Sequence, residues 1–301
     1  MERNTFAYKA RRKMQALAFH IVPHDKLACF YAKILTKKKV NLDHPTTFNE
    51  KIMWCKLYYY PRCRTIVDCT DKYKVREYVK KKGLEEILTP FIGKWENARD
   101  ICWDNMPEQF MLKCNHGCAY NIAVQSKKTA DRESIIHQLN KWLKDDFSVY
   151  NVELHYAKIK PRLVIAEQYL GENLIDYKFF CFEGVPKFMY VSSDLIHDRQ
   201  AKMGFFYIDG KKMELRRDEY EEIDSIELPP YYDKMIEAAK KLAKDFHFVR
   251  VDFFVTKDKF YFAELTFTPG AGVMYIEPEH FDKDWGAMFD ISDLIKKHKQ
   301  K

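Results

Sequence analysis

A chain of 301 residues is long enough for about two domains with a substantial core. Its apolar share of 47% is that of a soluble globular protein, and 22 Phe and 19 Tyr against 10 Gly predict a core packed with aromatic rings. The formal charge of +7 favours phosphate-bearing ligands or an anionic membrane surface without marking a nucleic-acid binder, and no uncharged apolar run reaches the roughly 18 residues of a bilayer-crossing helix.

The opening segment, Met1-Glu-Arg-Asn-Thr-Phe6, lacks the charged-then-apolar order of a secretory signal. Eight cysteines without a Cys-x-x-Cys pair fit a reducing compartment, so a cytoplasmic protein is expected. Residues 6–19 place Lys9, Arg11, Arg12 and Lys13 beside Met14, Leu17, Ala18 and Phe19. This basic amphipathic helix can dock on the body of the protein or lie on the anionic inner face of a membrane. Residues 27–35 form a second short helix, ended by Lys37-Lys-Lys39. Thr47-Phe-Asn-Glu50 has the spacing of a capping box and opens a helix to about residue 59. Asp71 can cap the next helix, whose apolar face carries Tyr73, Val75, Tyr78 and Val79.

Near residue 100 the pattern changes to strands. Residues 110–114 and 121–125 flank a turn at Asn115-His-Gly117, and a helix follows over 131–143. Further strands are expected over 163–170, 177–182, 185–191 and 205–208. Pro229-Pro230 starts a helix with Met235, Ile236, Ala239, Leu242, Ala243 and Phe246 along one stripe. A hairpin over 248–255 and 259–266, a loop at Pro269-Gly-Ala-Gly272 and a basic helical tail complete the chain. Strand pairs separated by helices, without strict βαβ alternation, predict an α+β fold with mixed or antiparallel sheets.

Several residues in these elements carry chemistry. A three-residue turn at Lys257-Asp258-Lys259 sets Asp252 opposite Glu264 and Arg250 opposite Thr266; a turn of two or four sets the two acids on opposite faces. Facing carboxylates repel, and a bound Mg²⁺ accounts for such a pair. Lys113 ends an apolar strand before a small-residue turn, where a lysine and backbone N–H groups can hold nucleotide phosphates, or where the lysine is simply solvated. Leu163-Val-Ile-Ala-Glu-Gln-Tyr-Leu170 runs from an apolar strand into Glu167-Gln168, which can meet an adenine and ribose at the strand edge or simply emerge into solvent. Asp176 and Lys178 share a strand face, either as a surface ion pair or, for Lys178, as a second cation for phosphates. Of ten histidines, His116 in the glycine turn is the one placed at a site. Cys114-Asn-His-Gly-Cys118 could make half a zinc site, but no second ligand pair has suitable spacing. No Walker A loop, Gly-x-Gly-x-x-Gly or nucleophile elbow is present.

As an ordered set over roughly residues 45–285, these segments resemble the TupA-like branch of the ATP-grasp superfamily. The matching residues are Thr47-Phe-Asn-Glu-Lys51 with Trp54, Asp71-Lys-Tyr73 with Val75-Arg76, Leu112-Lys-Cys-Asn-His-Gly117, Glu167-Gln-Tyr-Leu170, Asp176-Tyr-Lys-Phe-Phe180, Val249-Arg-Val-Asp252 and Glu264-Leu-Thr-Phe-Thr-Pro-Gly270. The resemblance implies two α+β lobes gripping ATP and Mg²⁺. A mostly helical region over 1–100 precedes a lobe over 101–195 with the phosphate turn and adenine hinge, and a lobe over 196–301 with the acidic hairpin and basic tail. It implies Lys113, Lys178, His116 and Gly117 near the phosphates, and Glu167, Gln168, Tyr169, Leu170 and Asp176 around the adenine and ribose. It further implies Asp252, Glu264 and Thr266 as metal ligands, and Lys113, Lys178 and Arg250 as catalytic groups.

The implied reaction joins a carboxylate to an amine through an acyl phosphate, on a small or polysaccharide-linked acceptor of a bacterial surface polymer. No nucleic-acid partner is implied. One departure stands out: where such proteins continue with residues resembling Ser-Gly-Gly, this chain has Cys118-Ala-Tyr120, which removes glycines suited to close backbone approach to phosphate. Tyr120 therefore also allows a degenerate, non-catalytic binding domain. The alternative that ranks next to the ligase is a glycosyltransferase acting on the same polymers, with Asp282-Lys-Asp284 superficially fitting the pattern that holds a metal and sugar nucleotide.

Overall fold

The computed structural model describes residues 6–172, 174–193, 202–215 and 220–300. It begins with two helices, α1 (Phe6–Ile21) and α2 (His24–Thr36). Next comes α3 (Phe48–Tyr58), opened by the expected capping box: the Thr47 hydroxyl accepts from the Glu50 backbone N–H, and the Glu50 carboxylate accepts from that of Thr47. Two short helices follow, α4 (Arg64–Thr70) and α5 (Val75–Lys81). Asp71 caps the turn between them, accepting from the N–H of Tyr73 at 2.9 Å and Lys74 at 3.3 Å.

The first sheet has the order β1 (Phe91–Trp95), β4 (Val164–Gln168), β2 (Phe110–Cys114), β3 (Asn121–Val124), and every neighbouring pair is antiparallel. Its core combines Phe110, Leu112, Val164 and Ala166 with α6 (Arg132–Lys144) and α7 (Ser148–Asn151). The second sheet has the order β10 (Phe260–Thr266), β9 (Phe248–Val255), β5 (Ile175–Phe182), β6 (Val185–Ser193), β7 (Lys202–Tyr207), β8 (Glu221–Glu222). It is antiparallel except for the β7–β8 edge. The fold is α+β.

The sheets do not follow the boundaries expected from sequence. β1 lies before residue 101 yet joins the first sheet, and β5 and β6 lie before residue 196 yet join the second. In β1, Phe91, Ile92 and Trp95 favour a strand while Gly93 and Lys94 interrupt the pattern, and pairing with β4 completes the strand.

Both faces of the second sheet are covered at one end. Tyr177, Phe179, Val251 and Phe253 meet α8 (Tyr232–Ala243) through Tyr232, Met235, Ala239 and Leu242. On the other face Phe180 and Phe188 pack with Trp285 of α9 (His280–Met288), and Phe48 of α3 meets Phe180, Phe182, Phe248 and Phe289. The aromatic share of the sequence goes into this cluster. A final basic helix, α10 (Ser292–Lys299), closes the described chain.

Candidate active site

Beyond Phe180, the α3-covered face of the second sheet turns polar, and strand register lays out the groups. Tyr190, Lys178, Asp252 and Glu264 are successive partners across β6, β5, β9 and β10. Arg250 pairs with Thr266 in the next row. The hairpin does not have the three-residue turn expected from sequence. Val255 pairs with Phe260 around a four-residue loop, a register that would put Asp252 opposite Ala263. A β-bulge between Phe262 and Glu264 takes up one residue and brings Glu264 opposite Asp252. The facing pair is present, for a different reason.

Arg250 answers the repulsion between those acids. Its Nε and Nη2 donate to the two Asp252 oxygens at 2.7 and 2.6 Å, and Nη2 also reaches Glu264 Oε1 at 3.4 Å and Thr266 Oγ1 at 3.0 Å. Lys178 Nζ lies 3.1 Å from both Asp176 and Asp252. Although burial disfavours their charged forms, Asp252 and its neighbouring acids hold the Lys178 and Arg250 pKa values above the ordinary ones. Burial likewise opposes the charge of Glu264, but Lys72, Arg250 and Lys178 outweigh it and bring its pKa down to about 2. The Tyr190 ring lies beneath both cations, 5.4 Å from Arg250 and 5.9 Å from Lys178.

Asp252, Glu264 and Thr266 have the chemistry of a hard-cation site. Their arrangement does not fit a Mg²⁺ shared by the two acids. Asp252 is fully buried with both oxygens engaged, and the Arg250 guanidinium bridges the pair. The Glu264 side chain is more open, 37% exposed, with Lys72 Nζ 4.0 Å from its Oε2.

A second charged group faces this one from the first sheet. Lys113 sits on the less buried side of β2, and its Nζ donates to Glu167 Oε2 at 2.7 Å. Arg76, from α5, donates to Glu167 Oε1 at 2.7 Å and to Thr89 O at 2.9 Å. Lys72 joins the two groups: its Nζ donates to Gly117 O at 2.8 Å and approaches Glu264. A cleft between the sheets is lined by Lys72, Arg76, Lys113 and Glu167 on one side and by Phe262 and Ala263 of the bulge on the other. Gln168, Tyr169 and Leu170 lie where β4 leaves the first sheet and the chain passes toward β5, the position expected of a hinge. Gln168 N donates to Pro90 O at 2.9 Å.

Sequence reasoning missed Lys72 and Arg76 as site residues. The signal was present in Asp71-Lys-Tyr-Lys-Val-Arg76, but it reads as a helix start, and only the fold carries that helix to the cleft.

The glycine turn differs from expectation in three ways. His116 is turned into the core: it is 1% exposed, its Nε2 lies 3.0 Å from Trp142 O, and burial brings its pKa down to about 4. Tyr120 also points into the core, stacked on Trp142 at 5.2 Å with its hydroxyl donating to Asp145. Its bulk is therefore outside the cleft, and the feature that suggested a degenerate domain belongs to packing. Ala119 takes the left-handed conformation, φ 57°, that a glycine would adopt freely. Gly117 is required, since a Cβ there would lie 2.6 Å from the Tyr120 ring.

Asp282 and Asp284 do not form a joint site. Asp282 is buried in the first turn of α9 and accepts from Asn49 N at 2.9 Å, bracing the start of α3, while Asp284 is exposed.

Among solved structures, the chain is similar to D-alanine–D-alanine ligase from Bacillus anthracis, with 15% identity over 78% of this chain and 71% of that one and a TM-score of 0.46. It is also similar to N5-carboxyaminoimidazole synthetase from Staphylococcus aureus complexed with ADP, with 14% identity over 67% and 46% of the chains and a TM-score of 0.38. A third is L-amino acid ligase from Bacillus licheniformis, with 13% identity over 69% and 45% of the chains and a TM-score of 0.42. No curated protein sequence matches the chain. The model of one family, described as TupA-like ATPgrasp, matches residues 50–290, which take in both sheets and every charged group of the cleft. The chain belongs to the TupA-like ATP-grasp family.

Proposed function

We propose that the protein is an ATP-dependent carboxylate–amine ligase. The observation that carries this reading is the pair of charged groups that face each other from the two sheets, Arg76 and Lys113 on Glu167 and Lys178 and Arg250 on Asp252, with Lys72 joining them through Glu264. Five cations from α5, its preceding turn and three strands suit a polyanion such as a nucleotide triphosphate. Each lies beside a resident carboxylate, so the site is charged yet internally balanced.

In this reading Lys113, Lys72 and Lys178 hold the phosphates. Glu167, Gln168, Tyr169 and Leu170 line the purine end, and Arg250 faces the transferring phosphoryl group. The γ-phosphoryl passes to a substrate carboxylate oxygen, breaking the bond to the β-phosphate bridging oxygen and releasing ADP. The amine then attacks the acyl carbon, forms the amide and expels inorganic phosphate. Preorganised cations favour this sequence by stabilising charge on the transferring group. Mg²⁺ is a further part of the proposal, with Glu264 as the residue best placed to meet it. A surface-polymer acceptor rests on the family resemblance alone.

The test is a thermal shift with Mg·ATP followed by ATP turnover on panels of carboxylates and amines. Nucleotide at about 100 times its Kd should stabilise the protein by roughly 2.7 kcal/mol. Lys113→Met leaves Glu167 paired with Arg76 and should weaken nucleotide binding at least about tenfold, the loss expected of one charge-assisted hydrogen bond. Glu264→Gln should abolish turnover with the fold intact. A shift with UDP-sugars and none with ATP would replace the ligase by the glycosyltransferase.

A further inference from the structure

The two N-terminal helices carry an outward surface that the nucleotide cleft does not use. α1 is fixed to the body through Gln15, whose Nε2 donates to Tyr150 O at 2.8 Å, and through Arg12, whose guanidinium lies 3.4 Å from the centre of the Tyr150 ring. α2 is fixed through Leu27, Ala28 and Ala32, buried in a cluster with Met53 and Val152. Ala18 and Phe19 of α1 pack against the same cluster. With these inner faces anchored, the outer faces are held toward solvent.

Those outer faces are apolar. On α1 they carry Met14, Leu17 and Ile21, a stripe at spacings of three and four, exposed by 65, 63 and 71%. On α2 they carry Phe30 and Ile34, exposed by 57 and 49%, and Leu35 is 57% exposed at the end of the helix. Of the fourteen exposed large hydrophobic residues among those described, seven fall between positions 14 and 35. Scattered single residues are ordinary, but such a concentration marks an interaction surface. Its flanks are cationic. Lys13, Lys26 and Lys33 are exposed on the helices, Lys37-Lys-Lys39 follow α2, and Asp25 is the one acid between residues 10 and 40.

We infer that this surface docks on an anionic lipid bilayer, with the apolar side chains at the acyl boundary and the lysines against the headgroup phosphates. Large apolar residues with long cationic side chains beside them match that interface, because lysine stems cover apolar surface while their ammonium groups reach the phosphate plane. A second copy of the chain fits less well, since its matching surface carries the same positive charge.

The experiment is co-sedimentation of the full chain with vesicles of phosphatidylcholine alone and of phosphatidylcholine with phosphatidylglycerol. Binding is expected to the mixed vesicles only, with release at raised salt. Leu17→Glu with Phe30→Glu should reduce binding more than about tenfold. Lys26→Glu with Lys33→Glu should reduce it at least about fivefold per cation. All four positions are exposed, and an unchanged melting temperature verifies that each variant folds. The inference is overturned if the wild type stays in solution with mixed vesicles, binds neutral ones equally well, or binds unchanged in both variants. It is also overturned if the wild type is a lipid-free dimer that Leu17→Glu with Phe30→Glu dissociates, since the surface would then join two copies.

Discussion

Arg250 shows at the scale of one residue how a site can store opposing charges. Its guanidinium bridges Asp252 and Glu264, so two acids that would repel across the ladder are held by one cation. Removing one partner of a buried pair leaves an uncompensated charge, which typically costs 3–5 kcal/mol. Arg250→Met is therefore expected to destabilise the protein by about 3 kcal/mol. It should also open the space between the carboxylates, so that added Mg²⁺ raises the melting temperature of the variant more than that of the wild type. Equal Mg²⁺ responses in a melting series would show that the acids do not form a cation site even when exposed to each other.

At the scale of elements, α3 joins the aromatic core to the polar surroundings of its own N-terminus. Thr47 and Glu50 cap it from within the sequence, and Asp282 caps it from α9 by accepting from Asn49 N. Burial raises the Asp282 pKa above the ordinary carboxylate value, against the opposing effect of these hydrogen bonds. Asp282→Ala should thus lower stability by about 1–3 kcal/mol, through the unpaired Asn49 N–H, and leave nucleotide affinity unchanged. Urea melts and ATP titrations on the same variant distinguish this from a sugar-nucleotide role. The capping box was legible in four consecutive residues, whereas the second cap joins residues 233 positions apart and had no local signature.

At the scale of the whole molecule, two histidines are buried between the packed elements. Burial is the main cause lowering His116 to about 4 and His155 to about 3, with the neighbouring cations Arg162 and Lys56 adding to it. The unfolded chain takes up these protons near pH 6.5, while the folded one does not until far lower pH. Stability from these groups is present above about pH 6.5 and is lost as pH falls toward 4, on the order of 3 kcal/mol for His116. Urea midpoints measured between pH 7 and 4.5 should fall accordingly, and His116→Gln should flatten the slope. An unchanged slope in that variant would mean that His116 is solvated.

The sequence by itself determined the types of most elements, though not of β1, together with the capping of α3, the strand faces of β5 and β9, and the family, because these depend on periodicity and on short ordered motifs. It also brought Lys113, Glu167, Lys178, Arg250, Asp252 and Glu264 under suspicion. Tertiary structure decided the rest. The bulge beside Ala263 restored a register that the four-residue turn alone would have lost. The docking of α5 and its preceding turn brought Lys72 and Arg76 into the cleft, and core packing took His116 and Tyr120 out of it. The physical reason is common to all of these: the direction of a side chain follows from the partner its backbone pairs with, and those partners lie tens to hundreds of residues away.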